Sequence, residues 1–223
     1  MEDPCSFNCN FEKFKFLEFY CVWGECMRRA YIAIVVLVVL VLALYFGDFA
    51  LAKSETYSTA QVGGSKDANA TFSEGFCVYP DSPFGNLVAD ELRAGGHKVL
   101  ILSAPVECDG QFLAVWVEGL NISYSPVLSK GRVRAVAVYS SAGDPTHYIN
   151  YRNAMDKRTA LTSFEKTGRA QFQAYIIAEV SDESEGFIAF KGYQDYLLRR
   201  AAEVIAHQAE RFELEGKTEN GLD

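Results

Sequence analysis

The sequence predicts an α+β protein: an N-terminal transmembrane helix, then a mainly antiparallel sheet of about five strands flanked by helices. Three observations carry that expectation. Residues 30–47, AYIAIVVLVVLVLALYFG, contain no charged side chain. Beyond them, apolar stretches of strand length at 98–102, 111–118, 132–139, 171–180 and 187–190 follow one another, mostly through connections too short for crossover helices. A long amphipathic segment from Tyr193 to about Phe212 then closes the domain.

Composition narrows the functional classes. With 49% hydrophobic and 22% charged residues among 223, the chain is neither disordered nor fibrous. Its formal charge is -8, of which the stretch 53–223 carries -6. Nucleic-acid binders draw most of their affinity from cations on phosphates, so this acidic balance argues against such a partner.

The apolar run at 30–47 would form about 27 Å of helix, close to the roughly 30 Å hydrocarbon core of a bilayer. Its β-branched residues would weaken a helix in water, but in lipid only a helix satisfies its own amides locally. Tyr31, Tyr45 and Phe46 suit the two interfaces. The segment reads as a retained signal-anchor that makes lipid the first partner. The alternative is a leader cleaved after Ala50-Leu51-Ala52, which has the small-x-small form of a cleavage site. Arg28 and Arg29 abut the helix start and only Lys53 lies just past its end, which orients the amino terminus toward the cytoplasm.

Residues 1–29 form a short cytoplasmic segment holding Cys5, Cys9, Cys21 and Cys26 among many aromatics. Phe7, Phe11, Phe14, Leu17 and Cys21 recur at helical spacing, as a face lying in the interface or against a partner helix would. Cys21 and Cys26 then serve as small hydrophobes or acylation sites. The four cysteines are also a candidate zinc set, although C-x3-C and C-x4-C are looser than paired knuckles. No resident metal or cofactor is expected.

Residues 48–71 are polar, include Gly63-Gly64 and show no periodic apolar face, so they read as a linker. The folded domain is expected over 72–214, with 215–223 a polar tail. Within it, Ser82-Pro83 opens a helix with Phe84, Leu87, Val88 and Leu92 on one side, and Gly95-Gly96 ends it. KVLIL at 98–102 reads as a short buried strand. The strand at 111–118 leads into a long connection over 119–130. In the strand at 132–139, Val133, Ala135, Ala137 and Tyr139 make one apolar face, and Arg132 and Arg134 lie on the other. A helix is expected within 146–166. Strands at 171–180 and 187–190 are expected to pair across the acidic turn Ser181-Asp182-Glu183-Ser184.

No P-loop, dinucleotide loop, G-x-S-x-G or H-E-x-x-H pattern is present. The most polar loop between elements, 140–147, combines Ser140, Ser141, Asp144 and His147. It has the makings of a turn, and equally of a hydrolytic site with a serine nucleophile, His147 as base and Asp144 orienting it. Cys77 and Cys108 are the only cysteines past the apolar run, which makes them a disulfide pair if that side is oxidising. Asn69 and Asn121 head N-x-[ST] triplets on the same side. The reading is therefore a single-pass protein with an extracytoplasmic binding or accessory-subunit domain, partnered by another membrane or extracytoplasmic protein. A membrane-tethered hydrolase using the 140–147 loop is the alternative.

Overall fold

The computed structural model describes the backbone of residues 16–47, 50–166, 168 and 170–220. The chain divides into two units, Met1–Tyr45 and Phe46–Asp223. Helix α1 spans Phe16–Phe46, all but its last residue in the first unit. Its portion Arg28–Phe46 is long and apolar enough to cross a membrane, with mean hydropathy 2.6 and no residue of its apolar window buried. The helix starts well before the apolar run because 16–29 contains no proline and only Gly24 as a weak former. Cys21 and Cys26 fall within α1; Cys5 and Cys9, with Phe7, Phe11 and Phe14, lie outside the described residues.

The second unit is a mixed, mostly antiparallel sheet flanked by helices. In chain order it contains β1 (Ala50–Lys66), β2 (Phe76–Pro80), α2 (Phe84–Ala94), β3 (Val99–Ile101), β4 (Gln111–Tyr124) and β5 (Leu128–Ser140). These are followed by α3 (Thr146–Asn153), α4 (Lys157–Thr162), β6 (Phe172–Ile188) and α5 (Phe190–Asn220). The six strands lie in the order β1-β6-β5-β4-β2-β3. The first four pair antiparallel, whereas β2 runs parallel to both β4 and β3. Helix α2 makes the crossover that a parallel β2–β3 pair requires.

The expected α+β class stands, with six strands in place of about five. The linker expected over 48–71 is instead largely β1, which pairs residue by residue with β6 from Ala50↔Ile188 to Lys66↔Phe172. Its side chains are polar because the strand is an edge with most of its surface in water; backbone pairing holds it, and no apolar periodicity is needed. The domain accordingly starts near 50 rather than 72. At the other end α5 continues helical to Asn220 through the segment expected to be a polar tail.

The expected 119–130 connection and acidic turn are corrected for one reason: polar residues that suit turns also occur within long strands. β4 continues through the expected 119–130 connection to Tyr124, with a register shift between Val117 and Gly119, and β5 begins at Leu128. The acidic stretch 181–184 lies inside β6, which runs unbroken to Ile188, so the expected hairpin with 187–190 does not form. Asp182 and Ser184 alternate inward from Glu183 and Glu185. Elsewhere, the single helix expected in 146–166 is two: α3 ends before Ala154, and Asp156 caps α4 by accepting from the amides of Arg158 and Thr159. Ser82 does not cap α2, whose N-cap is Pro83 without a side-chain bond.

The core has two layers, one on each face of the sheet. Helices α2 and α5 cover one face, where Val88, Leu92, Val133, Ala135, Ile176, Leu197 and Ile205 are buried together. Small strand residues let α5 sit low. A Cβ at Gly131 would collide with Leu197 and lie 3.0 Å from the Tyr193 hydroxyl. On the opposite face, Phe112, Trp116, Val138, Tyr148, Tyr151 and Leu161 form a second, smaller cluster that joins α3 and α4 to the sheet. Trp116 stacks on Tyr151 at 4.9 Å, and Tyr79 meets Tyr148 edge-on at 5.4 Å.

β1 is also tied to α5 through Asp182. Ser54 and Thr56 donate to Asp182 Oδ1 at 2.5 and 2.6 Å, and Ser184 donates to Oδ2 at 2.6 Å. Burial pushes this carboxyl up, but the hydroxyls of Ser184, Ser54 and Thr56 hold it below its ordinary value. The bonds therefore stabilise the fold above the usual carboxylate range and are lost as acid protonates the group. Thr56 in turn bonds the Tyr196 hydroxyl at 2.6 Å, so the polar strand is latched to the long helix.

Candidate functional site

The 140–147 loop follows β5 and leads into α3. Its polar groups are buried: Ser140, Ser141, Asp144 and His147 are all withdrawn from solvent. The Ser140 hydroxyl donates to Gln171 Oε1 and accepts from the Asp144 amide at 3.1 Å. Ser141 donates to the Thr71 carbonyl at 2.6 Å and accepts from the Phe172 amide at 2.9 Å. Asp144 accepts from the Thr146 amide and hydroxyl at 2.9 and 2.5 Å, and from Gln171 Nε2 at 2.8 Å. His147 is turned elsewhere, stacked on Phe164 at 4.8 Å.

Burial lowers the His147 pKa, outweighing the carbonyls of Leu161 and Ser163 and the charge of Glu165. Its Nε2 has no hydrogen-bond partner among the described residues. The imidazole is thus held neutral, and acidification below about 6.5 works against the fold. A serine–histidine–carboxylate relay needs the base to touch the nucleophile and the carboxylate to orient the base. Here the serines and the carboxylate bond to backbone and Gln171, and the ring packs as a core aromatic. The loop fastens β5, β6 and α3 together.

Cys77 and Cys108 are joined in a disulfide, with their α-carbons 6.6 Å apart. Cys77 lies in β2, and Cys108 lies in the connection that returns from β3 to β4. Asn69 and Asn121 are both exposed, the first in a turn after β1 and the second on β4. Arg132 and Arg134, on the open face of β5, are paired with Glu179 at 2.9 and 3.2 Å, and Arg134 also reaches Glu118 at 2.6 Å. These are exposed pairs, each worth at most about 1 kcal/mol. They form a solvated strand face rather than a waiting anion site. Among the described residues no group of three or more His, Cys, Asp or Glu is placed to hold a metal.

The strand expected to be buried at 98–102 is instead an exposed edge. β3 is the outermost strand beside β2, and Leu100 and Ile101 on it are 59% and 41% exposed. Val106, in the loop that carries Cys108, is 52% exposed. Beside them lies a cleft of about 540 Å³ lined in part by Glu74, Lys98, Leu100, Leu102, Glu107 and Asp109. KVLIL is apolar on both faces, which suits an interior strand, so the sequence carried no signal of exposure. Only one side of β3 has a neighbour, so the run presents apolar side chains and a strand edge to solvent together.

Fold and surface together define an α+β domain preceded by one apolar helix, with an apolar, disulfide-braced edge. The sequence matches no protein-family profile, and no curated protein matches it. Among solved structures, the chain is similar to the PelC dodecamer from Paraburkholderia phytofirmans. The identity is 14% over 66% of this chain and 96% of that chain, with a TM-score of 0.35. A variant of the same PelC dodecamer aligns at 15% identity over 66% of this chain and 95% of that one, with a TM-score of 0.32.

Proposed function

We propose that the chain is a single-pass membrane protein, with its amino terminus in the cytoplasm. Its domain from β1 to α5 works outside the cytoplasm as a binding or accessory subunit for a protein partner. The observation that carries the reading is the exposed apolar edge of β3 beside the Cys77–Cys108 bond. An edge strand offers unpaired backbone groups to an extended segment of a partner, and Leu100, Ile101 and Val106 add apolar area to that pairing. A disulfide is favoured in an oxidising compartment, which supports placing the domain beyond the membrane. Arg28 and Arg29 at the start of the apolar stretch support the same orientation. Ala50, Leu51 and Ala52 pair with Ile188, Phe187 and Gly186, which favours retention of the helix over cleavage within this strand.

The hydrolase alternative draws no support from the 140–147 loop, whose hydroxyls are spent on structure. The reading is tested by extracting the full-length protein from its native membrane in mild detergent, as wild type and with Leu100→Asp and Ile101→Asp together. The wild type should retain a companion protein that the variant loses. Retention by both, with both folded, contradicts the assignment of the edge.

A further inference from the structure

We propose that the end of the sheet at which β1 begins, formed with it by the β4–β5 turn and the last residues of β6, rests in the lipid headgroup layer. Phe187, Val127 and Leu128 are its contact residues. The inference rests on the membrane-anchor reading above and deepens it by naming a second lipid contact.

Pairing places the three residues together. Leu128 is opposite Glu185, and the Gly186 amide donates to the Val127 carbonyl at 2.9 Å, which closes the turn against β6. Phe187 is opposite Leu51 at the beginning of β1. Phe187 is 55% exposed, Val127 56% and Leu128 41%, although α3 and α4 shelter much of the same sheet face farther along the strands. Large apolar side chains grouped at a strand end cost free energy in water and mark a surface that is covered in use.

The length of chain that follows the helix identifies the cover. α1 ends at Phe46 and β1 begins at Ala50. Residues 47–50 can span at most about 14 Å when fully extended. The headgroup layer adds several ångströms beyond the hydrocarbon on each side. With Tyr45 and Phe46 at the hydrocarbon boundary, the start of β1 lies within about 14 Å of it, at or just beyond the headgroups, so a sheet end turned toward the membrane meets them. Aromatic and aliphatic side chains gain by entering that layer. Lys53 and Lys130 nearby are paired with Glu55 at 3.8 Å and Glu183 at 2.6 Å, so the contact rests on the apolar side chains.

A photo-reactive benzoylphenylalanine placed singly at Phe187, Leu128, Leu37 or Ser65 tests this in the full-length protein, reconstituted in palmitoyl-oleoyl phosphatidylcholine vesicles. Leu37 reports the anchor. Ser65 lies on β1 about 50 Å along the strand from Ala50, at roughly 3.3 Å per residue, and reports the far end. Adducts of lipid mass are expected at Leu37, Phe187 and Leu128, and none at Ser65. Adducts at Leu37 without any at Phe187 and Leu128 overturn this proposal and leave the anchor standing. No adduct at Leu37 overturns the anchor itself. An adduct at Ser65 equal to that at Phe187, or adducts at Phe187 to a second copy of the chain, also overturn the end-on contact.

Discussion

Replacing Cys77 and Cys108 together by serine is expected to lower the stability of the full-length protein by about 3–4 kcal/mol. The bond closes a separation of 31 residues, from β2 across α2 and β3 to the return loop. Without it the unfolded chain regains that loop entropy, and nothing else covalent holds the return loop to β2. For a domain of this size the loss corresponds to a fall in Tm on the order of 10 °C. Thermal unfolding of the purified protein in detergent measures it. Wild type treated with reductant should fall to the same midpoint as the variant. A change below about 1 kcal/mol would mean that packing of Leu102 and Phe112 against β2 already fixes the loop.

The second large effect is expected at Gly143, inside the 140–147 loop. Its φ is 72°, a conformation that side chains with a Cβ disfavour, and an added Cβ would strike the Cys108 carbonyl and lie 2.6 Å from that of Gly110. Both obstacles are backbone and cannot swing aside. Gly143→Ala should therefore cost about 3 kcal/mol or more in denaturant unfolding. Gly96 provides the comparison, with φ 89° but nothing within 4 Å of an added Cβ. Gly96→Ala should cost only about 1–2 kcal/mol, the left-handed conformation alone. The Gly143 carbonyl also accepts from the Cys108 amide at 3.2 Å, so this site and the disulfide share one segment. Combining Gly143→Ala with loss of the disulfide should cost less than the sum, because a freed return loop can move away.

Legibility in the sequence followed chemistry that reports on itself. The apolar run, the α2 and α5 periodicities and the Cys77–Cys108 pairing depend on local spacing or on scarce residue types, and they could be read directly. β1 could not. It is an edge strand held by backbone pairing to β6 and by Ser54 and Thr56 reaching Asp182, and both partners lie more than a hundred residues away. The same distance concealed the meaning of the acidic stretch at 181–184. Asp182 looks like turn chemistry until three hydroxyls are seen to surround it. Exposure of β3 was hidden in the same way. KVLIL has the composition of an interior strand, and only the strand order shows that one of its sides has no neighbour. For the 140–147 loop, residue types were legible but their directions were not, so a catalytic set and a structural knot looked alike.

All of these surfaces acquire their meaning from the placement of the domain. Brief protease treatment of sealed, right-side-out vesicles from cells making the full chain tests that placement most directly. Fragments are read by mass under non-reducing conditions. The account predicts that the domain beyond Ala50 is cut from the outside, that a fragment containing α1 stays with the membrane, and that the Cys77 and Cys108 peptides emerge linked. A domain protected until the vesicles are lysed, with both thiols free, would contradict it.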